Sequence, residues 1–178
     1  MPETPVSERP LPHNLEAEKA VLGAVLIDHE QINLAAELID SRDFYRHAHQ
    51  QIFDKMVSLR LRDEVIDLVT LKEELDRAGD LNEVGGPAYI AALVDGVPKS
   101  TNVEYYARIV KEKATLRNLI YSANKILATA YQAEADSDEQ LDQAGRSILE
   151  IAQDRKKGGF VKLHELLPGG VETIEKLQ

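Results

Sequence analysis

The chain has no cysteine, no tryptophan, only three phenylalanines in 178 residues, and no long hydrophobic run. The missing cysteines exclude disulfides and thiolate-bound zinc, consistent with a reducing, cytoplasmic setting. With so few aromatic residues, the core has to be built from Leu, Ile, Val and Ala, the usual content of packed helices. The apolar stretch "AVLGAVLI", Ala20 to Ile27, is too short to cross a bilayer and is flanked by charges, so no membrane contact is expected. A basic patch is also lacking. Net charge is −10 and the basic residues are interleaved with acidic ones, so a phosphate backbone would be repelled. Finally, Thr101 to Ala133 contains neither glycine nor proline.

These features predict an all-α chain in four parts. Residues 1–12 hold four of the seven prolines and read as a flexible tail. Residues 13–100 read as a compact bundle of short helices. Asn14 is the expected cap of the first, with Glu16 and Glu18 in its first turn. Leu15, Glu18, Leu22, Val25 and Leu26 share one side, and the helix should end near Ile27. "QINLAAELI" and "FYRHAHQQIFDKMVSLRL" give two more. A fourth starts behind Asp67, puts Leu68, Leu71 and Leu75 on one face and stops at Gly79. A fifth, "GGPAYIAALVDG", has Pro87 near its start and Gly96 past its end.

Residues 101–157 should form a long antiparallel helical hairpin. Thr101 with Glu104 makes a capping box, with Asn102 a competing cap, and Ser137 with Gln140 makes a second box. Apolar residues recur at roughly heptad spacing on both helices: Leu119, Ile120, Ala123, Ile126, Leu127 and Ala130, then Leu141, Ala144, Ile148, Ile151 and Ala152. A lone hairpin cannot bury all sides of its helices. Either a partner covers it, with Leu119, Ile120, Ala123, Leu127, Leu141 and Ile148 as the expected self-association residues, or it lies on its own globule. After "RKKGGF", residues 158–178 return to apolar spacing and read as a linker segment.

"DFYRHAHQQIFDKM", Asp43 to Met56, looks like a metal site. On a helix, however, His47 and His49 point about 200° apart and cannot share an ion. His49 falls with Tyr45, Ile52, Phe53 and Met56 on the apolar side and is expected to be half-buried and hydrogen-bonded at the core edge. Asp43 is expected to be a helix cap. No P-loop, G-x-S-x-G or cysteine nucleophile is present. No carboxylate pair stands out for acid–base work. The sequence thus predicts no catalytic, cofactor or metal residue. A stand-alone interaction module or a helix-turn-helix DNA-binding regulator remains as an alternative, although the acidic charge opposes DNA binding. The tyrosines of "NVEYYARIVKEKATLRNLI" are expected to close the junction of globule and hairpin.

Five blocks in order, "PHNLEAEKAVLGAVL", "DFYRHAHQQIFDKMVSL", "IDLVTLKEEL", "LNEVGGPAYIAALVDGVP" and "NVEYYARIVKEKATLRNLI", resemble the N-terminal domain of bacterial replicative DNA helicases, the DnaB family. The resemblance spans about residues 12–178. It implies a collar domain of a hexameric, ATP-dependent helicase, built as a trimer of dimers with paired hairpins and with globules that contact one another. It also implies a primase-docking role in DNA replication, and a RecA-like motor domain beyond the linker that would carry ATP, Mg and the hold on single-stranded DNA. The linker would dock on a neighbouring motor through Leu163, Leu166, Leu167, Val171 and Ile174. Gly169 and Gly170 depart from a strong linker-helix pattern.

Overall fold

The computed structural model describes residues 10–95, 97, 102–132 and 136–157. Every regular element among them is helical: α1 (Leu15–Ile27), α2 (Gln31–Leu38), a 3-10 turn (Ser41–Asp43), α3 (His47–Leu61), α4 (Leu68–Ala78), α5 (Gly86–Ala92), α6 (Val103–Gln132) and α7 (Ser137–Lys157).

Local chemistry sets most of the ends. Asn14 accepts the Ala17 amide at 3.0 Å and opens α1. Asp67 accepts the amides of Val69 and Thr70, and Thr70 returns a bond to the Asp67 amide, a reciprocal box that opens α4. Gly79 closes α4 in the left-handed region at φ 81°, where glycine has no Cβ penalty. Its amide bonds to Asp76 and that of Asp80 to Leu75, so two orphan carbonyls are satisfied. Pro87 sits in the first turn of α5. Gly96 and Thr101 lie outside the described residues.

Two helix starts, those of α3 and α7, differ from expectation, and at α6 the competing cap Asn102 is the one in place. α3 begins at His47, not Phe44, because Phe44 and Arg46 are extended and Arg46 is its N-cap residue. Asp43 therefore does not cap that helix. It closes the 3-10 turn instead, accepting the Asp40 amide at 2.9 Å while Asp40 accepts that of Arg42. α6 is capped by Asn102, which accepts the Tyr105 amide at 3.0 Å. At α7 the cap is Asp136, accepting the Glu139 amide at 2.8 Å, with Ser137 already the first helical residue.

α1 is the hub. Ala17, Val21, Leu22, Ala24, Val25 and Leu26 are buried, and α6, α3 and α2 pack around it. α3 contributes Ile52, Phe53, Met56 and Leu59, with Phe44 tilted against Phe53 at 5.0 Å. Leu71 and Leu75 of α4 enter this core, whereas Leu68 stays half-exposed. Gly23 lets the closing turn of α5 approach α1, since a Cβ there would overlap the Leu93 carbonyl oxygen.

The core also draws on α6, through Val103, Ala107, Val110 and Ala114. Beyond Arg117 that helix leaves the globule and is accompanied only by α7. Tyr106 packs against the core as expected of a junction residue, but Tyr105 beside it is exposed. None of the described helices is long and apolar enough to cross a membrane.

Candidate self-association surface and the polar groups that support it

The hairpin has two unlike sides. Between the helices, Ser122, Ile126 and Thr129 of α6 and Ala144, Ser147 and Ile151 of α7 are the sheltered positions. A polar-rimmed groove lined by Lys125, Gln140, Gln143 and Arg146 runs beside them. Leu116, Leu119, Ile120, Ala123 and Leu127 on α6 are exposed, as are Leu141, Ile148 and Ala152 on α7. The figures are large for apolar groups, 55% for Leu127 and 70% for Leu141.

Helical rotation places them. At about 100° per residue, the α6 seam lies roughly 110° round from its sheltered line, and the α7 seam roughly 90° round in the same sense. Because the helices run antiparallel, equal senses of rotation put both seams on one side of the hairpin. Tyr121, Lys125, Glu139, Arg146 and Glu150 fall on the other side. Leu119, Ile120, Ala123, Leu127, Leu141 and Ile148 thus share a single apolar face, uncovered in the isolated chain. Heptad spacing had also included Ile126, Ala144 and Ile151 in the apolar pattern. The structure spends these on the α6–α7 contact. The linker residues Leu163, Leu166, Leu167, Val171 and Ile174 lie outside the described residues.

Beneath the hairpin, buried polar groups fix the globule. Glu18 and His49 are 1% and 0% exposed, so His49 lies wholly inside the core, deeper than the half-buried position its helix face suggested. The Glu18 carboxylate takes the Tyr45 amide at 2.7 Å and His49 Nδ1 at 2.6 Å. A carboxylate offers no proton, so Nδ1 donates. His49 Nε2 lies 2.6 Å from the Tyr89 hydroxyl, which also accepts from the Arg46 guanidinium at 2.9 Å. Glu18 of α1 therefore grips the extended segment just before α3 and the first turn's His49 side chain, while α3 itself has no side-chain cap. Both nitrogens of His49 are engaged, and His47 is exposed. Among the described residues no group of three or more metal-ligating side chains comes together.

Two cations fasten α6 to the globule. Arg117, 5% exposed, donates to the carbonyls of Pro12 at 2.9 Å and Asp43 at 2.5 Å. It lies over the Tyr45 ring, on which His13 stacks at 4.3 Å. Lys111 donates to both Asp43 oxygens, at 3.1 and 3.3 Å, and to Asp154 of α7 at 2.9 Å. Burial pushes the Asp43 carboxyl above its ordinary value, against the opposing pull of the Asp40 amide and Lys111. Burial alone would lower the Lys111 ammonium, but the Asp154 bond and the Asp43 charge hold it above the usual lysine value.

The family model for the DnaB-like helicase N terminal domain matches residues 10–112, over half of the chain. The chain belongs to the DnaB-like helicase N-terminal domain family. The replicative DNA helicase DnaB of Geobacillus stearothermophilus is 44% identical over 171 residues, covering 96% of this chain and 38% of the relative. The replicative DNA helicase DnaC of Bacillus subtilis (strain 168) is 39% identical over 172 residues, again reaching 38% of its own length. This DnaB-type chain therefore spans under two-fifths of those relatives. The crystal structure of the N-terminal domain of DnaB helicase from Mycobacterium tuberculosis superposes with a TM-score of 0.76 at 38% identity, over 79% of this chain and 99% of that one. A DnaB-like replicative helicase, described with its interactions with primase, shares the fold at a TM-score of 0.66, 24% identity, over 92% of this chain and 36% of that one.

Proposed function

We propose that this chain is the N-terminal collar of a hexameric, ATP-dependent replicative DNA helicase in the cytoplasm, where it holds subunits together through its hairpin and offers a docking surface for primase. The observation that carries the self-association is the one-sided apolar seam. Six or more nonpolar residues at helical spacing face water on one side of a hairpin whose opposite side is charged. Fully burying one Leu or Ile is worth about 1.5–3 kcal/mol, so a second copy laid on the seam has ample apolar surface to gain. A seam facing itself gives the self-complementary contact of a two-fold dimer, from which a trimer of dimers can be assembled. Support for the parent activity comes from the relatives, both named replicative helicases. Support for primase docking comes from the neighbour described with its interactions with primase. ATP, Mg and the grip on single-stranded DNA belong in this reading to a motor domain following residue 178, with Leu163, Leu166, Leu167, Val171 and Ile174 docking on a neighbour's motor.

Sedimentation velocity over a concentration series tests it. The chain should self-associate. A variant with Ile120, Ala123 and Leu127 changed to aspartate should sediment as a monomer with unchanged helical content by circular dichroism. A chain that remains strictly monomeric at about 1 mM, where even a 4 kcal/mol association would register, sinks the proposal.

A further inference from the structure

On the polar side of the hairpin, away from the seam, α7 does not rest directly on the globule. A cleft of about 430 Å³ lies between them, lined by Asp40, Arg42 and Asp43 of the 3-10 turn, Asn118 of α6, and Glu150, Gln153 and Asp154 of α7. No apolar side chain lines it, so hydrophobic burial does not draw the two walls together there. Lys111 spans the gap, with one end of its hydrogen-bonding set on Asp43 of the turn and the other on Asp154 of α7. Among the described residues no other side chain facing the cleft hydrogen-bonds to both walls, although the Arg42 charge also attracts Asp154 across it. The Arg42 guanidinium is turned back on Asp40 of its own turn at 2.8 Å, and Glu150 is a further carboxylate that adds repulsion toward Asp43 and Asp40. Asp154 lies one turn from the end of α7 at Lys157, from where residues 158–178 continue.

We propose that Lys111 is a latch that fastens the C-terminal end of α7 to the 3-10 turn, so that the globule fixes the point from which the chain runs on past the hairpin. The geometry suits the task. An ammonium has three donors on a flexible stem and can bind two carboxylates on different elements at once. Asp43 is itself held by the Asp40 amide, so it is a rigid anchor, while Asp154 is half-exposed on the movable side. With the latch open, the described residues of the last turns of α7 rely on their packing against α6. With it closed, a displacement of the globule carries the end of α7 with it. The inference does not depend on self-association, because the cleft and the seam lie on opposite sides of the hairpin.

Hydrogen exchange read by mass spectrometry on the full chain tests the latch, with Asp154→Asn and Lys111→Met as separate variants and combined. Lys111→Met keeps the length of the stem and removes the ammonium with its bonds to Asp43 and Asp154. Amides from Glu150 to Asp154 should exchange about fivefold faster in each variant, the size expected for losing a partly exposed ion pair, while amides of α1 and α3 keep their protection. At the end of α7 the double variant should exchange no faster than Lys111→Met alone, because that change already removes the Asp154 bond. Unchanged exchange at the end of α7 in Asp154→Asn overturns the proposal, as do effects that multiply in the double variant. Asp154→Asn should sediment as the parent chain does, so failure of the latch and failure of the self-association reading are told apart.

Discussion

Replacing Gly23 by alanine should destabilise the chain, although alanine is the better helix former. In the middle of a helix that exchange is worth about 1 kcal/mol in favour of alanine. Here the new Cβ would overlap the Leu93 carbonyl oxygen and come within 2.9 Å of a Val97 methyl. Neither neighbour can give way cheaply. Leu93 is buried, and its amide closes α5 through bonds to the Tyr89 and Ile90 carbonyls. α1 is fixed by its buried contacts with α2, α3 and α6. Overpacking at a rigid site costs typically 1–3 kcal/mol, and backbone overlap belongs at or above the upper end. A net loss of about 2 kcal/mol should lower Tm by roughly 4–8 °C in a chain of this size. Gly145→Ala is the internal control, because a Cβ there meets nothing within 4 Å. It should leave Tm unchanged or raise it by up to about 3 °C. The assay is thermal unfolding followed by circular dichroism, repeated with urea. An unchanged or raised Tm for Gly23→Ala would refute the close-approach argument.

Two further outcomes are expected. Glu18→Ala strands His49 Nδ1 in the core and leaves the Tyr45 amide without its acceptor, and should lose about 1–3 kcal/mol for each unsatisfied donor, whereas Glu18→Gln should lose less; urea unfolding midpoints decide. Asp67 has its carboxyl held below the ordinary 3.8, chiefly by the Thr70 amide. A depressed carboxyl stabilises the fold above 3.8 and that contribution is lost as pH falls through the lower, folded value. Asp67→Asn should therefore flatten the decline of Tm with acid below pH 3.8, and an unaltered slope would show that the cap carries none of it.

Local signals were readable in the sequence where the structure is local. Asn14, Asp67 and Gly79 mark helix ends because their partners lie within five residues. The start of α3 was misplaced because the residues before it are held extended by Glu18 of another helix, and no local cap residue marks the boundary. Glu18 looked like a first-turn acid, and nothing adjacent to it announces a histidine 31 residues away. One hint existed, since Glu18 shares a stripe with Leu22 and Val25, and a charge on an apolar stripe implies a buried partner. Arg117 carried the same hint, since it continues the stripe of Val103, Ala107, Val110 and Ala114, whereas Lys111 carried none, because a cation on a long amphipathic helix usually points at water. The heptad spacing identified the apolar residues of the hairpin, but could not divide them between the contact of α6 with α7 and the free face. That division depends on the rotation of each helix, which only packing sets.

α6 runs unbroken for 30 residues, about 45 Å at 1.5 Å per residue, with no glycine or proline to act as a joint. Its first half is wedged among the residues of the globule, and its second half bears the free face. It is a cantilever beam. A load applied near the tip cannot be absorbed by bending at the neck without breaking helical hydrogen bonds, so it arrives as torque on Val103, Ala107, Val110 and Ala114. Whatever grips the outer half therefore steers the globule as one piece with it, with a mechanical advantage set by the length of the helix.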